Sequence, residues 1–366
     1  MTRLPSHHLR VFCATLAIAS LAWLGVREAS AFSYYIVDGW PVIWDGSGSV
    51  RFLSPSTFPP GSETDQLIRA AMGEWNFAPA TAFAYTYSRL DQDYPIDHYD
   101  GYSDTTAVPA SQLDPGVLGV TYLVNDGAYW FDADIVFSDF PGGVGYNFDA
   151  FPTCGMVDQP SANGYSFLLI ALHELGHALG LGHTPSGSES AGFVWFPTTM
   201  NPRYPAGGTL GQENIIELHA DDRNGIRFLY PHTGQSVPRT DLANAMFTAG
   251  SVIGKVVPVF VQPDSAVPGD EISLRSVIEN LGTTSEFSIA QGFYLSTDSD
   301  IQTSDTLLGE LLWDIGFGQA LQFEVAARLP ADLAAGEYYL GSILDNPNEI
   351  PEMFEDNNAV SLISRR

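Results

Sequence analysis

The sequence predicts an α+β domain followed by an all-β sandwich. Up to about Tyr230, short strand-like runs alternate with segments whose apolar residues recur at helical spacing. Beyond Val256 the helical period stops, and short apolar runs are parted by Gly, Pro, Asp and Asn turns. A chain of 366 residues that is 45% hydrophobic has material for two cores. The weakly patterned stretch between them reads as a connection. The expected divisions are residues 1–31, 32–235, a linker at 236–255, and 256–366.

The first 31 residues stand apart. Arg3 and Arg10 precede the apolar run Val11–Val26, and a small-residue site ends in Ser30–Ala31. That is an export signal, cut after Ala31. The run falls short of the roughly 20 apolar residues that span a bilayer. The expected product is secreted, with no membrane anchor. It keeps Cys154 as its one cysteine and so has no internal disulfide.

The elements follow in order. Val50–Ser54 is a strand, and Thr64–Ala78 a helix capped by Ser62 or Thr64. Residues 87–106, polar and irregular, read as a loop. Val117–Val124 and Asp132–Phe140 are strands joined by the turn-rich "NDGAYW". Ser166–Gly180 and Glu213–Tyr230 are helices. The seven runs of the last region are "VVPVFVQ", "EISLRSVIEN", "SIAQGFYLS", "LLGELLW", "ALQFEVAARL", "GEYYLGSILD" and "NAVSLISR".

The charge narrows the partners. Asp and Glu number 43 against 15 Lys and Arg, for a net charge of −28. Such a surface repels nucleic acid and anionic membranes. It suits an exported protein, a calcium binder or life in high salt.

The chemistry concentrates in "HELGHALGLGH", His173 to His183. On a helix, His173 and His177 stand one turn apart on one face. Gly180 tolerates positive φ, stops the helix and lets His183 return from another direction. Three imidazoles with an open fourth position suit catalytic zinc, where a closed structural site prefers cysteines. Glu174 flanks the ligands without being one, the place for a base that takes a proton from water.

This pattern resembles the metzincins, whose motif is HExxHxxGxxH with a methionine turn downstream. "TTMNP" supplies Met200, and Pro202 two residues later looks like the matrixins. "LGVTYLVNDGAYWFDADIVF" is similar to the two matrixin strands before the active-site helix, and "LHADDRNGIRFLY" to the last matrixin helix. The resemblance implies a zinc endopeptidase acting on protein or peptide. It places Met200 beneath the metal and makes Val117–Val124 a substrate-binding edge, although a plain core strand reads as well. "NPRYPAGG", with Arg203 and Tyr204, would wall the pocket past the cut. It also gives Asp221 and Asp222 two tasks: one takes the freed N-terminus, Phe32 after cleavage, and the other supports the methionine turn.

Departures from the family matter too. Of the matrixin structural-zinc ligands only His98 and Asp100 have counterparts, so no structural zinc is expected. No propeptide is expected, since the first strand region follows the signal almost directly. "PTCGMVD" (Pro152–Asp158) resembles the matrixin cysteine-switch motif without its arginine and lies inside the domain. Cys154 is thus a candidate thiol switch, with a buried thiol or an intermolecular disulfide as the plain alternatives.

From Val256 to Ser364 the chain resembles CARDB domains, adhesion-related immunoglobulin-like sandwiches of exported proteins. The resemblance implies binding of a surface or extracellular ligand. The acidic groups Asp298, Asp300 and Asp305, and Asp345, Glu349, Glu352 and Glu355, are candidate calcium ligands or plain solvated turns. Two functions follow: a secreted zinc endopeptidase with Glu174 as base, or a secreted adhesion protein with a non-catalytic metal site. Every catalytic candidate precedes Pro231, so the sandwich is expected to be dispensable for chemistry.

Overall fold

The computed structural model describes residues 27–28, 32–45, 49–54, 57–78, 81–89, 100–139, 146–147, 155–156, 165–184, 198–202, 215–216, 218–232, 239–245, 247–248, 256–257, 259–263, 265–298, 300–355 and 357–362. Cys154, His98, Arg203 and Tyr204 lie outside them.

The first domain is built on one twisted sheet. Strand β1 (Ser49–Ser54) pairs in parallel with β2 (Ala84–Arg89) and β3 (Ser103–Val108). β4 (Gly119–Asn125) runs antiparallel on β5 (Tyr129–Ser138), whose other side takes β3 in parallel. The fourth strand is thus a sheet edge among the described residues, not the core strand that its sequence equally allowed.

Residues 87–106 are not all loop, since both of their ends are strand. The signal fails in β3 because its inward positions are Ser103 and Thr105, both buried. Ala133 N donates to Ser103 Oγ at 3.2 Å, and the sheet supplies the order that apolar alternation would otherwise report.

Two helices cross the sheet. α1 (Glu63–Phe77) is capped by Ser62, whose side chain accepts from Asp65 N. It buries Leu67, Ile68, Ala71, Met72 and Trp75, one stripe at helical spacing. α2 (Phe167–Ala178) starts at Ser166, and all its residues except His173 are buried. Aromatic donors satisfy its backbone from several sides. Trp75 Nε1 bonds Leu172 O, Tyr85 Oη bonds Leu175 O, and Trp44 Nε1 bonds Ala178 O.

The last helix is shorter than its periodicity suggests. α3 runs Ala220–Leu229, while Ile215–Ile216 pairs with Gly155–Met156 as extended chain. The start is fixed because Asp222 reaches back to the His219 amide at 3.1 Å.

Among the described residues each of the seven expected runs holds strand, and further strand precedes them. β6 (Leu242–Ala245), within the expected linker, pairs with the end of β8 (Glu271–Asn280), and β7 (Val259–Gln262) pairs with its middle. The second sheet is β9 (Glu286–Ser296), β10 (Thr306–Ile315), β12 (Tyr339–Leu344) and β13 (Ala359–Leu362), while β11 (Ala320–Arg328) completes the first. Arg27–Glu28 adds a two-residue edge to β11. Asp305 accepts from Ser296 Oγ and Gln302 N, and Asp345 from Glu349 N and Ile350 N, so these acids shape turns. No helix among the described residues is long and apolar enough to cross a membrane.

An acidic group lies under the first sheet. Asp132 and Asp134 of β5 are buried and accept from Gly101 N and Asp104 N, both at 3.1 Å. Burial, then the charges of Asp134, Asp100 and Asp132, push Asp104 up to about 7. The folded protein therefore holds this proton in the window from the ordinary 3.8 up to about 7, where the unfolded chain has lost it. Stability from this group is full below that window and is lost as pH rises through about 7. Asp104→Asn in metal-free buffer should raise the melting temperature at pH 8, with the gain shrinking at pH 5. A uniform shift at both values would refute the coupling.

Candidate metal centre

Three imidazoles converge at the end of α2. The Nε2 atoms of His173 and His177 are 3.1 Å apart, those of His177 and His183 3.1 Å, and those of His173 and His183 3.2 Å. His173 and His177 come from one helix face. Gly180, at φ +100, turns the chain, and Leu181–Gly182 then pairs with Ser33–Tyr34 before His183. Ser33 Oγ also donates to His183 O. The segment just past the expected export signal therefore braces the loop of the third histidine.

The tautomers follow from the partners. His173 Nδ1 lies 2.7 Å from Thr199 O, and His177 Nδ1 2.8 Å from Leu181 O. A carbonyl only accepts, so each Nδ1 carries the proton and each Nε2 presents a lone pair inward. Burial pushes His173 down to about 4 and His177 to about 3, and it lowers His183 as well. Neutral imidazoles with facing lone pairs repel unless a cation lies among them. Ligands of tetrahedral zinc, at about 2.0–2.1 Å from the metal, are spaced much as these nitrogens are. The donor set fits zinc. Among the described residues no other group of three His, Cys, Asp or Glu side chains brings its ligating atoms together in this way.

Glu174 is held apart from this triangle. Thr121 Oγ1 lies 2.8 Å from its Oε2 and 2.9 Å from its main-chain oxygen. Burial lifts the Glu174 carboxyl to about 7, against the pull of the Thr121 hydrogen bond. Gly119 of β4 lies against the same side chain, since a Cβ there would come within 2.9 Å of Oε1. A cleft of about 600 Å³ opens over the site, lined by Tyr35, Gly119, Thr121, Tyr165, Leu169 and Pro202 among others. Sequence reasoning missed Thr121 as the partner of Glu174 and Tyr35 as part of the cleft lining. A threonine in a strand carries no signal of the helix behind it, and Tyr35 arrives from more than a hundred residues away.

Met200 is buried, with its sulfur against Gly176 of α2. Asp222, fully buried, accepts from Thr199 N at 2.9 Å and Met200 N at 3.1 Å. Asp221 accepts from Phe32 N at 2.9 Å. The neighbouring aspartates therefore point to different partners. Gly176 faces the Met200 sulfur, and a Cβ there would also lie 2.9 Å from Trp75 Cζ2. Gly176→Ala should cost about 1–3 kcal/mol by overpacking. Thermal unfolding would show it as a lowered melting temperature, and an unchanged one would mean that Met200 yields freely.

Two family models match the chain. Residues 51–231 match the family model described as Matrixin, and residues 256–362 match the one described as CARDB. Stromelysin-1 of Equus caballus is 28% identical over 173 residues, covering 43% of this chain and 33% of that protein. Macrophage metalloelastase of Oryctolagus cuniculus is 30% identical over 162 residues, covering 42% of this chain and 32% of that protein. The chain thus spans about a third of the length of these curated relatives. A solved CARDB domain from Pyrococcus furiosus is 17% identical with a TM-score of 0.25, covering 35% of this chain and 94% of that one. The protein joins a matrixin domain to a C-terminal CARDB β-sandwich.

Proposed function

We propose that this protein is a secreted zinc endopeptidase. The observation that carries the reading is the triangle of Nε2 atoms with a buried, non-ligating Glu174 beside it under an open cleft. His173, His177 and His183 hold the ion. When bound, zinc supplies a Lewis acid that polarises a peptide carbonyl and acidifies a water molecule. Glu174 takes the proton on its carboxylate and passes it to the leaving amine. Thr121 fixes the carboxylate from behind. The edge of β4 offers main-chain donors and acceptors to an extended peptide, a mode that tolerates varied sequence.

Export cleavage after Ala31 would free the Phe32 nitrogen as an ammonium at Asp221. The Phe32 ring already packs on Phe228 with centroids 5.7 Å apart, and Gly225 leaves room for its Cβ. The new terminus would then brace the strand that supports His183. The CARDB domain supports a further role in binding a surface or extracellular ligand, and the acids of its turns are the place to look for calcium.

Hydrolysis of denatured casein by the exported protein, abolished by a chelator and restored by zinc, tests the main reading; no hydrolysis in loaded protein would end it. Glu174→Gln should keep zinc and lose turnover by about 10²–10⁴-fold. Thr121→Val should keep zinc and lose about tenfold in kcat, the worth of one hydrogen bond to a charged group. Near-wild-type rates in either would remove that residue from the mechanism. Terminal sequencing of the exported protein should begin at Phe32, and any other start would undo the pairing with Asp221.

A further inference from the structure

The start of α3 is capped by the other domain. Glu279, near the end of β8, is fully buried, and its carboxylate lies on the catalytic side. Its Oε1 accepts from Ala220 N at 2.8 Å, and its Oε2 meets His219 Nδ1 at 2.8 Å. A helix N-terminus carries unpaired N–H groups and partial positive charge, so a carboxylate here is both a cap and a counter-charge. A buried carboxylate needs such partners, and these two come from the protease domain.

The rest of α3 is seated on the same face. Arg223 reaches Asp241 at 3.2 Å and Leu218 O at 2.9 Å. Arg227 bonds Leu281 O and Gly282 O and lies over the Phe317 ring at 4.8 Å. Asn224 donates to Gly318 O at 2.8 Å. Ala220, Ala243 and Leu281 form a small apolar cluster between the domains.

What hangs on this helix start is the metal centre. His219, held by Glu279 at its ring, gives its amide to Asp222. Asp222 holds the Thr199 and Met200 amides, and Thr199 O orients His173. The path from the sandwich carboxylate to a zinc ligand is continuous: hydrogen bonds joined through His219, Asp222 and Thr199, buried up to the last contact with the half-buried His173.

We propose that Glu279 is a positioning residue for the zinc site, so that the sandwich is part of the working protease rather than a detachable appendage. This replaces the expectation that the sandwich is dispensable, and it rests on the zinc-peptidase reading above. A chain ended near residue 234 would leave the Ala220 amide without its carboxylate and strip Arg223 of Asp241 and Arg227 of the Leu281 and Gly282 carbonyls.

The test uses the full exported chain loaded with zinc. Glu279→Ala and Glu279→Gln are compared with wild type and with Glu324→Gln. Glu324 pairs with Arg275 on the sandwich surface at 2.8 Å, away from the interface, so its loss serves as the control. Three readouts are taken: zinc Kd by competition with a chelating dye, kcat and KM on a short peptide, and amide exchange at Thr199 and Met200. Removing an outer partner of a ligating histidine typically weakens metal binding 10–100-fold. One step further out, Glu279→Ala should weaken zinc by about tenfold and Glu279→Gln by about threefold. The kcat should fall while KM stays within about twofold of wild type, because Glu279 bonds the start of α3 and not the substrate edge. The Thr199 and Met200 amides should exchange faster, and Glu324→Gln should match wild type in all three. Glu279→Gln keeps the side-chain volume and decides the matter if the alanine variant does not fold. Wild-type zinc affinity and wild-type exchange in the folded variants would overturn the inference, whatever their melting temperatures. A wild type that binds zinc but cleaves nothing would end the peptidase reading; the zinc and exchange shifts would still judge Glu279.

Discussion

A carboxylate without solvent exposure, that of Asp222, accepts from the main-chain amides of Thr199, Met200 and His219. Three such bonds tie the methionine turn to the start of α3. Burial raises the Asp222 carboxyl while the amides and His219 pull it down. Removing it would leave three buried amides without acceptors, each costing about 1–3 kcal/mol. The orientation of His173, the seat of Met200 under Gly176 and the wall of the cleft all depend on that knot.

The same low polarity serves the chemistry. Burial keeps the imidazoles neutral at ordinary pH, so the nitrogens that face one another are free to ligate. It also raises Glu174 toward neutrality, while Thr121 keeps the charged form within reach. A helix buried almost all round, with aromatic donors on its carbonyls, holds two ligands and a base at fixed spacing.

The two domains share one buried polar seam. Arg223 with Asp241 and His219 with Glu279 are nearly sealed from water. Such pairs add little net stability against apolar packing, yet breaking one is costly because its partner stays buried. They therefore favour one way of docking over others. For a chain with so few basic residues, placing two arginines of α3 at this seam is a concentrated use of positive charge.

By itself the sequence determined the local features. Ligand spacing on one helix turn, the need for positive φ at Gly180, the strand runs of the sandwich and the aspartate pair of α3 are short-range patterns. Each is written within a dozen residues and is enforced by backbone geometry. The tertiary structure alone decided the rest. β3 is a strand because its neighbours bond Ser103 and Thr105, not because its residues alternate. α3 begins at Ala220 because carboxylates from one turn ahead and from 59 residues away meet its first amides. Thr121 becomes the holder of Glu174 only when β4 lies along α2. Hydrogen bonds between distant segments carry no period, so they become legible only when the chain is folded.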